Sequence, residues 1–494
     1  MSKRYLIVFV TAIAALWMYI DRVCFSTLAA PMKQELLVPI APEPSDEETL
    51  SDADIAAAKK KKREANPALG ADVQLTPDDI VAAKKKKWAD ARMSYALGAF
   101  FLTYAIFQIP MGTLADRYGA RKVLALSIAA WSLVTAATGF VGGFTALLGI
   151  RLLLGITEAG AYPAAAGLIK KWAKPSERGR FSSVVAFGGR VGGASAPFLT
   201  ATLAAGLVGV GIVELFITTT PAPPGPDGTP PPNWRGVFVV YGLCGLAVAC
   251  LFWLFIRDQP PTQAVSAPEP GASDLPGSPE IAAPRPQLSF VQRVSLLSRS
   301  RNMWLSGGVQ FGVNLGWAFV VTLLPTYLSE TFGTPLEEIG PMQSTALTIG
   351  CLGMVFGGVV TDTLHRRLGP RLGRSVPIAV ALIGCAVVFF LAPSLPNAWT
   401  VVIALGVMAF LVDMHNPCIW SFAQDVGGKN VGAALGWGNM WGNLGAALSP
   451  VVLTLIRSAA GWNAAFIFCG VAFSAAAICG ILLDATKPVD PNDS

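Results

Sequence analysis

Long apolar runs recur along the whole 494-residue chain, separated by short polar segments. Eighteen or more apolar residues suffice to cross a bilayer as a helix. The pattern predicts twelve such spans, at 5–30, 93–114, 123–143, 145–169, 181–210, 235–256, 303–328, 339–361, 376–393, 398–422, 431–456 and 463–483. Three polar stretches interrupt them. Residues 32–92 hold a near-repeat, "LSDADIAAAKKKK" from Leu50 and "LTPDDIVAAKKKK" from Leu75. Each copy opens on Ser or Thr followed by acids and closes on lysines. Pro77 stands in the first turn, so two short helices are expected. "PAPPGPDGTPPPN" (221–233) reads as a polyproline-like linker, and 258–288, rich in Pro, Ala and Ser, as a disordered connector. After the connector, "FVQRVSLLSRSR" has the pattern of an amphipathic helix lying on the inner membrane surface.

Composition agrees with a membrane protein. Residues are 53% hydrophobic and 14% charged, against about 25% charged in soluble domains. The 50 glycines suit close helix approach in lipid. The net charge of +6 does not point to nucleic acid, because the basic residues sit in loops, mixed with acids or beside span ends. With the N-terminus inside, Arg117, Arg121, Lys170, Lys171, Arg178, Arg180, Arg257, Arg366 and Arg371 gather on the cytoplasmic side, as the positive-inside rule requires. Both termini are then cytoplasmic, in the inner or plasma membrane. Segment 32–92 departs from the rule with two lysine runs, but its twelve acids offset eleven bases. Residues 1–30 are too long and too charged at their end for a cleaved signal, so they are read as the first span. The eight cysteines lie within spans, without metal-ligand spacing, and are read as packing residues.

The connector divides the spans six and six, and the halves resemble each other. "GTLADRYGARK" (112–122) recurs as "GVVTDTLHRRLGPR" (358–371), "GGASAP" (192–197) as "GAALSP" (445–450), and "WRGVFVVYG" (234–242) as "WNAAFIFCG" (462–470). The expected fold is therefore all-α, two pseudo-symmetric six-helix bundles with any substrate site between them near the bilayer midplane. The expected units are 1–256, a cytoplasmic linker 257–301, and 302–494.

No sequence motif of an enzyme is found. There is no Walker sequence, no HExxH and no GxSxG, and "GGRVGG" (188–193) lies inside a span with no strand before it. No metal or cofactor is implied. Ionisable residues deep in spans are few: Asp21, Arg22, Arg151, Glu158, Arg190, Asp413 and His415. Unpaired in lipid, the five in the first half would cost on the order of 12–18 kcal/mol. They must therefore face each other or a wet cavity. Three are cationic and two anionic, and surplus guanidinium suits an anionic ligand. Asp413 and His415 show no partner in the sequence.

"GTLADRYGARK" resembles the cytoplasmic loop motif of the major facilitator superfamily. "YIDRV" (19–23), "YAIFQIP" (104–110), "RLLLGITEAGAYPAAAGLIKKW" (151–172) and "ERGR" (177–180) resemble its anion:cation symporter family, which includes sugar-acid transporters. The resemblance covers nearly the whole chain and implies a rocker-switch carrier. It implies substrate contacts at Tyr19, Arg22, Tyr104 and Asn443, and proton coupling through Asp21, Arg151 and Glu158, with Asp21 held by Arg151. It also implies an inner gate at Asp116, Arg117 and Arg121, with Asp362 and Arg366 in the second copy of the motif. Two departures stand out: the long insert after the first span, and Arg190, where sugar-acid members carry a neutral polar residue. Arg190 aligns by the internal repeat with Asn443 and is expected to hold a second carboxylate. The expected activity is import of an organic anion such as a hexuronate, aldonate or aldarate, coupled to protons or sodium, by a monomer in the lipid bilayer. An organophosphate exchanger would instead draw one arginine from each half, a membrane sensor would need a signalling domain, and drug efflux a more apolar cavity.

Overall fold

A backbone crossing lipid must satisfy its own hydrogen bonds, and helices do so within each segment. The computed structural model describes residues 3–42, 50, 55–56, 58–59, 62–63, 73–206, 233–258 and 288–491. Its long helices among the described residues are α1 (Lys3–Thr27), α2 (Pro77–Tyr118), α3 (Ala120–Thr138), α4 (Phe144–Trp172), α5 (Arg178–Gly206), α6 (Trp234–Phe255), α7 (Arg301–Phe332), α8 (336–368), α9 (370–391), α10 (Ala398–Val426), α11 (431–460) and α12 (462–482). Reversals at Gly369 (φ 76°) and Gly461 (φ 78°) separate α8 from α9 and α11 from α12. Only glycine adopts that backbone readily.

Among the described residues a helix lies at each of the twelve expected spans, α5 as far as Gly206, and nine long apolar helices, two of them joined pairs, are candidates to cross a membrane. The second expected short helix, after Leu75, is the first part of α2. Thr76 caps it through Asp79 N–H, with Pro77 next. Lys62 and this cap hold the Asp79 carboxyl down at about 2. Nothing in "KKKKWADARM" breaks a helix, so α2 runs on for 42 residues. The first repeat helix lies mostly outside the described residues, as do the 221–233 linker and nearly all of the 258–288 connector. The expected amphipathic helix is present at Phe290–Arg299, capped by Ser289 and Gln292.

In α7, Pro325 has no N–H to give the preceding turn, and residues Phe319–Leu323 widen into a π-turn. Gln343 of α8 donates to Val320 O and Val321 O, both at 3.0 Å, and so satisfies carbonyls there.

The sequence repeat is a structural repeat. A Cβ on Gly192 of α5 would stand 2.9 Å from Leu16 Cα of α1. One on Gly445 of α11 would stand 3.2 Å from Phe311 Cα of α7. The same glycine therefore seats the same helix pair in each half. Arg4 of α1 meets Glu177, and Asn302 of α7 receives the C-terminal segment at Asp484 and Lys487. Both ends of the described chain thus share one face, the terminal face, with the 112–122 and 358–371 loops.

Candidate functional site

Adjacent helical residues point about 100° apart, and this separates Asp21 from Arg22. Asp21 turns into the first half and is buried, with neither carboxylate oxygen hydrogen-bonded. Arg22 faces the junction of the halves. Its Nη2 donates to Glu158 Oε2 at 2.8 Å and its Nε at 3.2 Å. The guanidinium lies over the rings of Tyr104 (4.5 Å), Phe100 (5.0 Å) and Tyr19 (5.1 Å). Aromatic faces attract cations, so the arginine is fixed from two sides.

The expected Asp21–Arg151 pair does not form. Arg151 donates from Nε to Ala96 O at 3.2 Å and stacks on Phe25 (4.0 Å) and Phe100 (4.7 Å). The carboxylate engaged by a cation is Glu158, and its cation is Arg22. Seven residues along α4 place Arg151 and Glu158 two turns apart, so Arg151 meets the Phe25 ring of α1 while Glu158 meets Arg22.

Arg190 of α5 crosses to the second half. It bonds Asp413 of α10 and lies 4.8 Å from the Trp317 ring of α7. Asp413 is 1% exposed while the Arg190 side chain is 26% exposed. His415 is buried, its Nδ1 against Val412 O.

These groups border a cavity of about 180 Å³ between the halves. All five residues expected to meet substrate line it: Tyr19, Arg22, Tyr104, Arg190 and Asn443. Asp21, Arg151 and Glu158 lie behind the lining. The sequence reading missed Tyr162, Gln310, Asn314, Trp317, Asn416, Trp420 and Asn439, which also line the cavity, and noted His415, another lining residue, only as a buried ionisable group without a partner. Gln310/Asn314 and Asn439/Asn443 are i, i+4 amide pairs in otherwise apolar helices, a stripe that was available in the sequence. The cavity is thus cationic and amide-rich, with aromatic walls, and can hold a compact polyhydroxylated or dianionic ligand.

On the terminal face the halves are pinned together twice in the same way. Asp116, in the last turn of α2, accepts from Gly432 N (2.8 Å) and Ala433 N (2.9 Å) at the start of α11. Asp362, near the end of α8, accepts from Gly179 N (2.8 Å) and Arg180 N (3.0 Å) at the start of α5. Each carboxylate meets first-turn N–H groups and the positive end of a helix dipole. Arg293 of the Phe290–Arg299 helix stands 3.7 Å from Asp116. The gate arginines behave differently. Arg121 binds Asp258 through its backbone and Trp253 O through its side chain. Arg117 and Arg366 are exposed. Arg178 and Arg374, which the sequence reading did not count among the gate residues, both bind Asp425.

The sequence profile of the Major Facilitator Superfamily matches residues 11–450. Among proteins similar to this chain is the "Probable sulfoacetate transporter SauU" of Cupriavidus necator, 28% identical over 82% of this chain and 87% of that protein. Another is the "Probable galactarate/D-glucarate transporter GarP" of Escherichia coli K12, 28% identical over 80% of this chain and 87% of that one. Among solved structures, the E. coli fucose:proton symporter FucP superposes with a TM-score of 0.63 at 14% identity. That match covers 97% of this chain and 98% of the other. With a family profile spanning most of its length and the fold that goes with it, the chain belongs to the Major Facilitator Superfamily.

Proposed function

We propose that this chain imports a small organic anion, a sugar acid such as a hexuronate, aldonate or aldarate, by proton-driven alternating access. The observation that carries this is a cavity between the halves faced by two arginines, Arg22 and Arg190, each backed by a buried carboxylate. Guanidinium binds carboxylate through paired, charge-assisted hydrogen bonds. The amides of Asn439, Asn443, Gln310 and Asn314 suit hydroxyl groups between the charged ends. The relatives carry galactarate, glucarate and sulfoacetate in their names, all organic anions with two acidic groups.

In this reading the terminal face is cytoplasmic, in the inner or plasma membrane. Residues 1–256 and 302–494 are the moving units, joined by 257–301, and the Asp116 and Asp362 caps are the inner gate. A ligand carboxylate that engages Arg22 draws its hydrogen bonds away from Glu158. A buried carboxylate relieved of its cation gains a proton. Ligand and proton therefore assist each other's binding, as linkage requires. Asp21 and Arg151 shape the surroundings of Glu158 from inside the first half. Both cavity arginines come from the first half, which favours this reading over an organophosphate exchanger drawing one from each.

The test is uptake into proteoliposomes under an inward proton gradient, with galactarate, galactonate, galacturonate and sulfoacetate offered separately. Accumulation of at least one acid that collapses with a protonophore is expected. Proton-driven accumulation of none of the four would overturn the proposal.

A further inference from the structure

Both cavity arginines are backed by a buried carboxylate, yet the cycle proposed above uses only Glu158. Asp413 stands behind Arg190 much as Glu158 stands behind Arg22. In each pair the carboxylate is sealed, 1% and 0% exposed, and the arginine reaches toward the cavity, 26% and 14% exposed. The pairs differ in one respect. Arg22–Glu158 lies within the first half, whereas Arg190–Asp413 spans the junction that must change in every cycle.

We infer that Asp413 is a second proton carrier, loaded when the far anionic group of a dianionic ligand takes the Arg190 guanidinium. This rests on the transport reading above and adds to it a residue and a ligand class.

The surroundings of Asp413 support this assignment. Among the described residues, Arg190 of α5 is the charged group acting on it, and Cys351 of α8 is a titratable neighbour. His415, on the same helix, turns its ring to Val412 O. Trp317 of α7 covers the Arg190 guanidinium rather than the carboxylate. At Gly350, α8 packs so closely that a Cβ would stand 3.4 Å from Asp413 Oδ2. A buried carboxylate whose cation turns to another anion is left uncompensated, and protonation removes the penalty.

The step balances. One proton leaves the solution on the side to which the cavity opens and binds a carboxylate oxygen of Asp413. Arg190 stays charged and transfers its hydrogen bonds to the ligand. On the other side the ligand leaves, Asp413 returns the proton to solution, and the pair re-forms. A dianion engaging both arginines then enters with two protons. A monoanion engaging Arg22 alone enters with one. Both cycles carry no net charge, so an inside-negative membrane potential does not oppose import of the dianion.

The full chain in proteoliposomes tests this through protons moved per substrate, found by balancing a proton gradient against a substrate gradient at zero net flux. The parent is expected to give two for galactarate and one for galactonate. Asp413→Asn should lower the galactarate value to one, and Asp413→Glu should restore two. Equal values for the two acids in the parent would overturn the inference, as would an unchanged value of two for galactarate in Asp413→Asn. If Asp413→Asn does not fold, the two parent values decide. A parent that accumulates neither acid overturns the transport reading, and this inference with it.

Discussion

Arg190 carries the sharpest consequence at the scale of single residues. Its loss does two things: it removes a ligand donor, and it strands Asp413 as an unpaired buried carboxylate. Stranding one partner of a buried pair costs about 3–5 kcal/mol, while a hydrogen bond to a charged group contributes about 1.5–3 kcal/mol. Arg190→Gln alone is therefore expected to lower the melting temperature sharply, and Arg190→Gln with Asp413→Asn much less. In the double variant, galactarate affinity should fall roughly 10- to 100-fold, with galactonate changed far less. Thermal melting and binding titrations on purified protein check both points, and equal losses for the two acids would sink the second-anion role of Arg190. Single residues were also where the sequence was most and least informative. Charges within apolar spans marked Arg22, Glu158 and Arg190 because lipid leaves no other way to tolerate them. The Arg190–Asp413 pair joins positions 223 apart across the two halves, and no local periodicity reports such a contact. The partner of Asp21 was misjudged because helical position sets its direction, while its partner depends on how α1 and α4 pack.

Among the elements, the start of α11 packs tightly against the end of α2, across the junction of the halves. A Cβ on Gly432 would stand 2.6 Å from Gly112 O and 3.0 Å from Asp116 Oδ1. Backbone cannot yield as a flexible side chain does, so Gly432→Ala must part the two helices. This contact joins the halves on the terminal face, so the substitution is expected to shift the population toward the state open on that face. Spin-label distances between the end of α2 and the start of α11 should lengthen, and unchanged distances would contradict the gate. The helices themselves were legible from apolar length, including α5 despite its Arg190 and glycines. The extension of α2 was not, because charged residues suggested a separate surface helix. Beyond the expected span, α2 buries Ala89 against the cluster that holds Met32, Leu36 and Leu37.

For the whole molecule, the insert after α1 is the feature that departs most from a bare two-bundle carrier. Its flanks are tied to the first half. Leu36, Leu37 and Val73 are buried, Lys33 pairs with Asp90, and Glu35 Oε1 accepts from Arg235 Nη2 at 2.8 Å. Replacing residues 43–72 with a short Gly/Ser linker is therefore expected to leave melting temperature and substrate affinity near the parent's. Extending the replacement to 40–88 should lower the melting temperature, because Val73 and the first turns of α2 go with it. Size-exclusion profiles and melting curves of both variants check this, and equal behaviour would show that the flanks do not stabilise the fold. The internal repeat made the two-half plan readable before any coordinates, through paired glycines and prolines at matching positions. The cavity between the halves was readable only in outline, because α7, α8 and α10 supply its far wall with few charges.

The central claim is that the Arg22–Glu158 pair converts a proton gradient into accumulation of an organic anion. It is tested most directly by labelled galactarate in proteoliposomes carrying the parent or Glu158→Gln. Accumulation under an inward proton gradient is measured beside exchange of internal for external substrate. The parent should concentrate galactarate, and Glu158→Gln should fail to concentrate it yet still exchange it. A Glu158→Gln carrier that concentrates galactarate as the parent does would contradict the account.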